Sequence, residues 1–186
     1  MTLRQAGSER IFDWTRARGN SLVAALLCAA SLTAPPAEAQ PIKVAIFDFE
    51  LEDVSAAVPS TGDTSSDAKQ QLASVTNEIR NLFAQSGRYD VVDVSSADAP
   101  AARSQTLRDC NGCDAAIAQK LGATQSFVGV VRRISRTEYT VRFEVRDTGT
   151  GTVVSAGDSG LRMGADYSWN RGAARLVKDR LLESAR

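Results

Sequence analysis

The 186-residue chain sets 22 lysines and arginines against 22 acids and contains no histidine. A net charge of zero provides no field to draw in nucleic acid or an anionic membrane. The missing histidine excludes Ser-His-Asp and Cys-His catalysis and every His-containing zinc site, and removes the commonest general base.

Residues 1–39 read as a secretory leader. Arg4, Arg10, Arg16 and Arg18 precede the apolar run "SLVAALLCAASLTA" at 21–34, which is too short to span a bilayer comfortably. Pro35 and Pro36 break the run, and Ala37-Glu38-Ala39 is a small-x-small cleavage signal. A retained anchor and lipid attachment at Cys28 are the competing readings. Leu27 stands where lipoprotein processing wants a small residue, which argues against the second. Cleavage near Ala39 leaves residues 40–186 as one exported α/β domain, periplasmic or secreted, with no stable membrane span.

"IKVAIFDFEL" (42–51) is a nearly continuous apolar run, as expected of a strand covered on both faces. Residues 52–68 are rich in Ser, Thr, Gly, Pro and Asp and read as a long loop, with Ser66 or Asp67 capping the next helix. Leu72, Val75, Ile79, Leu82 and Phe83 recur on one helical stripe that Gly87 terminates. "RYDVVDV" (88–94) is a second strand, and residues 95–109 carry no long period.

A short helix occupies 114–121, ended by Gly122, and leads to a strand at 125–135. In "EYTVRFEVRD" (138–147) Tyr139, Val141, Phe143 and Val145 alternate with polar residues, the mark of a half-buried antiparallel strand. "TGTG" (148–151) turns the chain into a return strand at 152–161. Trp169, Gly172, Ala173, Leu176, Val177, Arg180 and Leu181 share one face of a last helix. The expected fold is α/β (α+β): a single mixed sheet of about five strands with three helices, in the order β-α-β-α-β-β-β-α.

Three groups of residues stand out. Cys110 and Cys113 precede the short helix and are the two thiols left after the leader, so an oxidising compartment would join them. So short a loop contributes about 2 kcal/mol. The competing reading is a redox pair, since a helix N-terminus depresses a thiol pKa, but an apolar strand does not lead into it. Zinc lacks further ligands.

Asp48, Glu50, Glu52, Asp53 and Asp63 gather at the carboxyl end of the first strand and beyond it. That edge of an open α/β sheet takes ligands, and oxygen donors suit a hard cation. The plainer reading is a solvated loop. Trp169 is either an anchor for a partner or the residue that fixes the last helix to the sheet. Arg142 and Arg146 alternate with Glu144 as a solvated face. "RRISR" (132–136) has no interleaved aromatics for nucleic acid, and no glycine-rich phosphate loop opens a helix.

Asp48-Phe49 ending the first strand, the amphipathic helix, Gly87 to Val92, and Gly122-Ala123 to Gly129 together form a pattern. It resembles the small envelope domain at the amino end of the TolB translocation protein and in curli-secretion (CsgG-like) accessory lipoproteins, over residues 42–161. With "DFELED", Cys-x-x-Cys, "RDTGTG" and "SW" (168–169), the chain also resembles a secreted bacterial family known only as a domain of unknown function. The resemblance implies docking to another envelope protein, without catalysis. No cofactor, metal or nucleic acid is expected, and the sequence leaves the oligomeric state open.

Overall fold

The computed structural model describes residues 40–55, 66–95, 106–135, 137–162 and 167–183, with the backbone alone at 161–162 and 167–168. The leader reading and Asp63 fall outside the described residues. The elements run β1 (Ile42–Ile46), β2 (Glu50–Asp53), α1 (Ser66–Gln85), β3 (Tyr89–Val92), a 3-10 turn (Leu107–Asp109) and α2 (Cys113–Lys120). Then come β4 (Gln125–Arg133), β5 (Glu138–Asp147), β6 (Val153–Arg162), α3 (Tyr167–Val177) and a π-helical turn (Lys178–Leu182).

The mixed α+β class and the single sheet with three helices are as expected, with one correction. The run at 42–51 is two strands, so the sheet has six rather than about five and the order gains a strand. The sheet order is β3-β1-β4-β5-β6, with β2 also pairing β4. β1 lies parallel to β3 and to β4, and β4-β5-β6 is an antiparallel meander.

The break has a clear cause. Ile46 is in register with Phe127 and Glu50 with Val130, so β1–β2 fits one more residue than β4 does over the same stretch. Side chains alternate along a strand, so one extra residue exchanges the faces. Val44 and Ile46 point to the same side as Phe49 and Leu51, while Ala45 and Phe47 point to the other. The displaced backbone groups find partners on α1. The Phe49 N–H donates to Thr76 Oγ1 at 2.9 Å, and Arg80 donates to the Ile46 carbonyl at 2.8 Å.

One face of the sheet packs on α1 and α3. Val44, Ile46, Phe49, Phe127, Val131, Val141, Phe143 and Val145 meet Val75, Ile79 and Phe83 of α1 and Trp169, Ala173, Leu176 and Val177 of α3. Each fully buried aliphatic side chain here is worth about 1.5–3 kcal/mol of burial. Asn170 donates to Ser74 Oγ at 2.8 Å and ties the two helices together. The π-helical turn keeps Leu181 buried, and Arg88 caps its last carbonyls at Leu181 and Leu182. On the opposite face α2 and Leu107 cover Ala45, Phe47, Val128 and Val130. No described helix covers the β5–β6 half of that face. Ala156, Asp158 and Gly160 are exposed there.

Gly87 and Gly122 take positive φ (68° and 79°) at the ends of α1 and α2, where their role as terminators required it. The turn from β5 to β6 is organised by Asp147, whose Oδ1 accepts from the Gly149 N–H at 3.0 Å and the Thr150 N–H at 2.8 Å. The Thr150 backbone and side-chain hydrogen bonds hold the Asp147 carboxyl below the usual carboxylate range. A depressed carboxylate stabilises the fold above its unfolded pKa, and the effect is lost as pH falls through the lower folded value. Replacing Asp147 by Asn is therefore expected to lower stability at neutral pH and to converge with the parent below about pH 4. Urea titrations across that range measure the difference. A gap unchanged at pH 3 would exclude the ionised carboxylate as its source.

Candidate functional site

The four described carboxylates of the acidic segment diverge, and each meets an arginine. Asp48 lies on the α1 side, 3.0 Å from Arg80, with its side chain 77 % exposed. Asp53 pairs with Arg133 at 3.3 Å and accepts from the Ser55 hydroxyl at 2.6 Å. The Ser55 hydroxyl is the first cause of the lowered Asp53 pKa. The Ser55 N–H and Arg133 add to it, and partial burial opposes it. The parity change after Phe47 turns Glu50 and Glu52 toward α2. Glu50 binds Arg108 at 2.8 Å and accepts from the Leu107 N–H. Glu52 binds Arg132 at 2.9 Å and faces Arg142 at 3.8 Å. Among the described residues no group of three His, Cys, Asp or Glu could hold a metal ion.

Glu50 and Glu52 instead join a layer of ion pairs that runs from α2 across the sheet. Asp114, in the first turn of α2, is 2 % exposed. It accepts from the Ser126 hydroxyl at 2.6 Å and faces Arg146 Nε at 3.6 Å. Ser126 and Arg146 are register partners on β4 and β5, so Asp114 bridges two strands from above. Arg146 also holds Glu144 at 2.7 Å. Charges this poorly hydrated fix position more than they add net stability.

Cys110 and Cys113 are joined, with Cα atoms 5.6 Å apart, a separation ordinary for a disulfide. The bridge links the end of the 3-10 turn to the first residue of α2. Glu50 anchors one side of this segment and Asp114 the other. Both cysteines pack partly against the α2-side core.

Between the bridge segment and the sheet lies a cavity of about 30 Å³, lined by Leu107, Asn111, Asp114, Arg142 and Glu144 over Val128 and Val130. Among the described residues, buried Glu52 Oε2 and Arg142 Nε have no hydrogen-bond partner. The arrangement consists of ion pairs together with the hydrogen bond from the Ser126 hydroxyl to Asp114.

Trp169 is 5 % exposed and its ring lies 5.5 Å from that of Tyr139, so the structure places it where the core reading did. Arg108, Asp114 and Ser126 escaped the sequence reading, because nothing in their spacing marks them. Thr76 left a signal: it continues the buried face at Leu72, Ile79 and Phe83, and a threonine inside an apolar stripe has a bond to make.

A family model described as "Protein of unknown function (DUF2380)" matches residues 42–181. No match is found among curated proteins. Several solved structures are similar at low identity, three of which follow. The LpoB C-terminal domain from Salmonella enterica is 13 % identical with TM-score 0.45, covering 66 % of this chain and 83 % of that one. The lipoprotein GNA1162 from Neisseria meningitidis is 14 % identical with TM-score 0.46, covering 68 % and 84 %. TolB from Acinetobacter baumannii is 14 % identical with TM-score 0.42, covering 73 % of this chain and 27 % of its own.

Proposed function

The chain belongs to the DUF3280 family, described as "Protein of unknown function (DUF2380)", and we propose that it is an exported, non-catalytic accessory protein that binds another cell-envelope protein. The observation that carries this reading is the half-uncovered sheet face. Arg132, Arg142 and Glu144 stand there 46 %, 40 % and 41 % exposed, beside buried polar atoms without partners. A mixed-charge surface with one unsatisfied donor and one unsatisfied acceptor fits a protein partner that presents acids and amides better than it fits a phosphate backbone. The leader-like sequence pattern at 1–39 supports export, and no described helix is long and apolar enough to cross a membrane. The absence of histidine supports action by contact.

A photo-crosslinking residue at Arg142, in cells that express the full chain, tests this. The expected result is an adduct with one envelope protein, and none from the same residue placed at exposed Asn81 on α1. Equal labelling from both positions, or none from Arg142, removes the reading.

A further inference from the structure

β6 is the last strand of the sheet. Among the described residues nothing pairs with its outer side, which leaves alternate N–H and C=O groups directed away from β5 along the regular stretch from Ser155 to Arg162. Long natural edges are blunted by lysine, proline or inward-facing charge. β6 reads "VVSAGDSGLR", with neither lysine nor proline; a bulge at Val154 interrupts its start, and beyond it Asp158 is the charge in the middle of the strand. The opposite edge, β3, offers four residues.

We propose that β6 pairs antiparallel with β6 of a second copy, about a two-fold axis through Gly157. This self-association stands apart from the partner reading, since it runs along the sheet edge and the partner site lies on the face. A two-fold axis normal to the sheet places opposed side chains on one shared face, so the axis must pass through a residue position. Centring on Asp158 sets that carboxylate against itself, which is unfavourable. Centring on Gly157 sets glycine against glycine, Ala156 against Asp158 and Ser155 against Ser159. Among the β6 side chains the centre then carries no bulk or like-charge conflict, while Arg180 of the π-helical turn lies over Gly157 on the helix side and must extend away from its symmetry mate. A head-to-tail joint of β6 to β3 is limited by the four residues of β3.

Sedimentation equilibrium on the protein as the cell processes it tests the proposal, with a dimer expected. Ala156→Asp sets a carboxylate opposite Asp158 of the second copy at two symmetric places. It should raise the dimer dissociation constant about two- to thirty-fold. Adding Asp158→Lys should restore the dimer. Within one chain Ala156 lies opposite Glu144 and Asp158 opposite Arg142, so the double variant worsens both internal pairs, and recovery can come only across the interface. Ala156→Lys, favourable within the chain and across it, should tighten the dimer and guards against a double variant that does not fold. A monomer at all concentrations, or an Ala156→Asp or Ala156→Lys protein indistinguishable from the parent, overturns the proposal. A β6 found occupied by a strand of another protein overturns it as well.

Discussion

Truncating Phe127 to alanine is expected to cost about 3–5 kcal/mol, the range for a large aromatic removed from a packed core. Phe127 is fully buried in β4. Its ring centroid lies 6.0 Å from Phe49, 5.4 Å from Phe83 and 5.5 Å from Phe143. Those three rings belong to the segment before β2, to α1 and to β5, so one side chain joins three separate parts of the chain. A native domain holds about 5–15 kcal/mol in all, so the variant would sit near its folding threshold. At about 2–4 °C per kcal/mol for a domain of this size, the melting temperature should fall by roughly 6–20 °C. Phe127→Leu keeps most of the volume and should lose distinctly less. Urea titrations measure both, the midpoint shifting while the slope holds. A loss below 1 kcal/mol for the alanine variant would mean that the rings repack around the gap.

Gly129→Ala tests the same region from the opposite direction, by adding an atom. A Cβ at Gly129 would lie 2.5 Å from both Cε atoms of Phe49 and closer still to Cζ. Real Cβ atoms do not approach a ring that closely, so either the ring or the strand must move. Phe49 has little room to retreat, because it is 4 % exposed and its N–H is held by Thr76. Overpacking of this kind costs about 1–3 kcal/mol. Shortening the opposing residue, as Phe49→Leu, should make the added methyl cheaper, with a coupling of about 0.5–3 kcal/mol between the two sites. A full double-mutant cycle in urea gives that number. Strict additivity would show that the two residues do not compete for the same space.

The periodic elements were legible because burial on one face leaves a repeat. Val75, Ile79 and Phe83 are buried on α1, with Leu72 and Leu82 packed at the margin. Val141, Phe143 and Val145 are buried in β5 as the alternation required, and Ala173, Leu176 and Val177 form the inner face of α3. The break at Phe47–Phe49 was not legible. A run of apolar residues has the same appearance with or without one extra residue, and only the register against β4 reveals it. The consequence reached the candidate site. Read as one continuous strand, Asp48, Glu50 and Glu52 share a face. With the added residue Asp48 stands apart, and Glu50 and Glu52 turn to arginines contributed from Arg108 and Arg132. Asp114 was hidden for a different reason: its partners Ser126 and Arg146 are distant in sequence and meet it only after β4 and β5 have paired.

The middle position of β1 bears on the order in which the chain assembles. The meander from Gln125 to Arg162 is made of neighbours along the chain and can zip locally, whereas β1 must be inserted between β3 and a β4 that comes much later, with Val44 opposite Gln125. A polypeptide emerging amino end first can pair one side of β1 with β3, but holds the other side unmatched until β4 is available. Non-local parallel pairing of this kind is slow, so completion of the sheet waits on the strand that arrives from the carboxyl-terminal half.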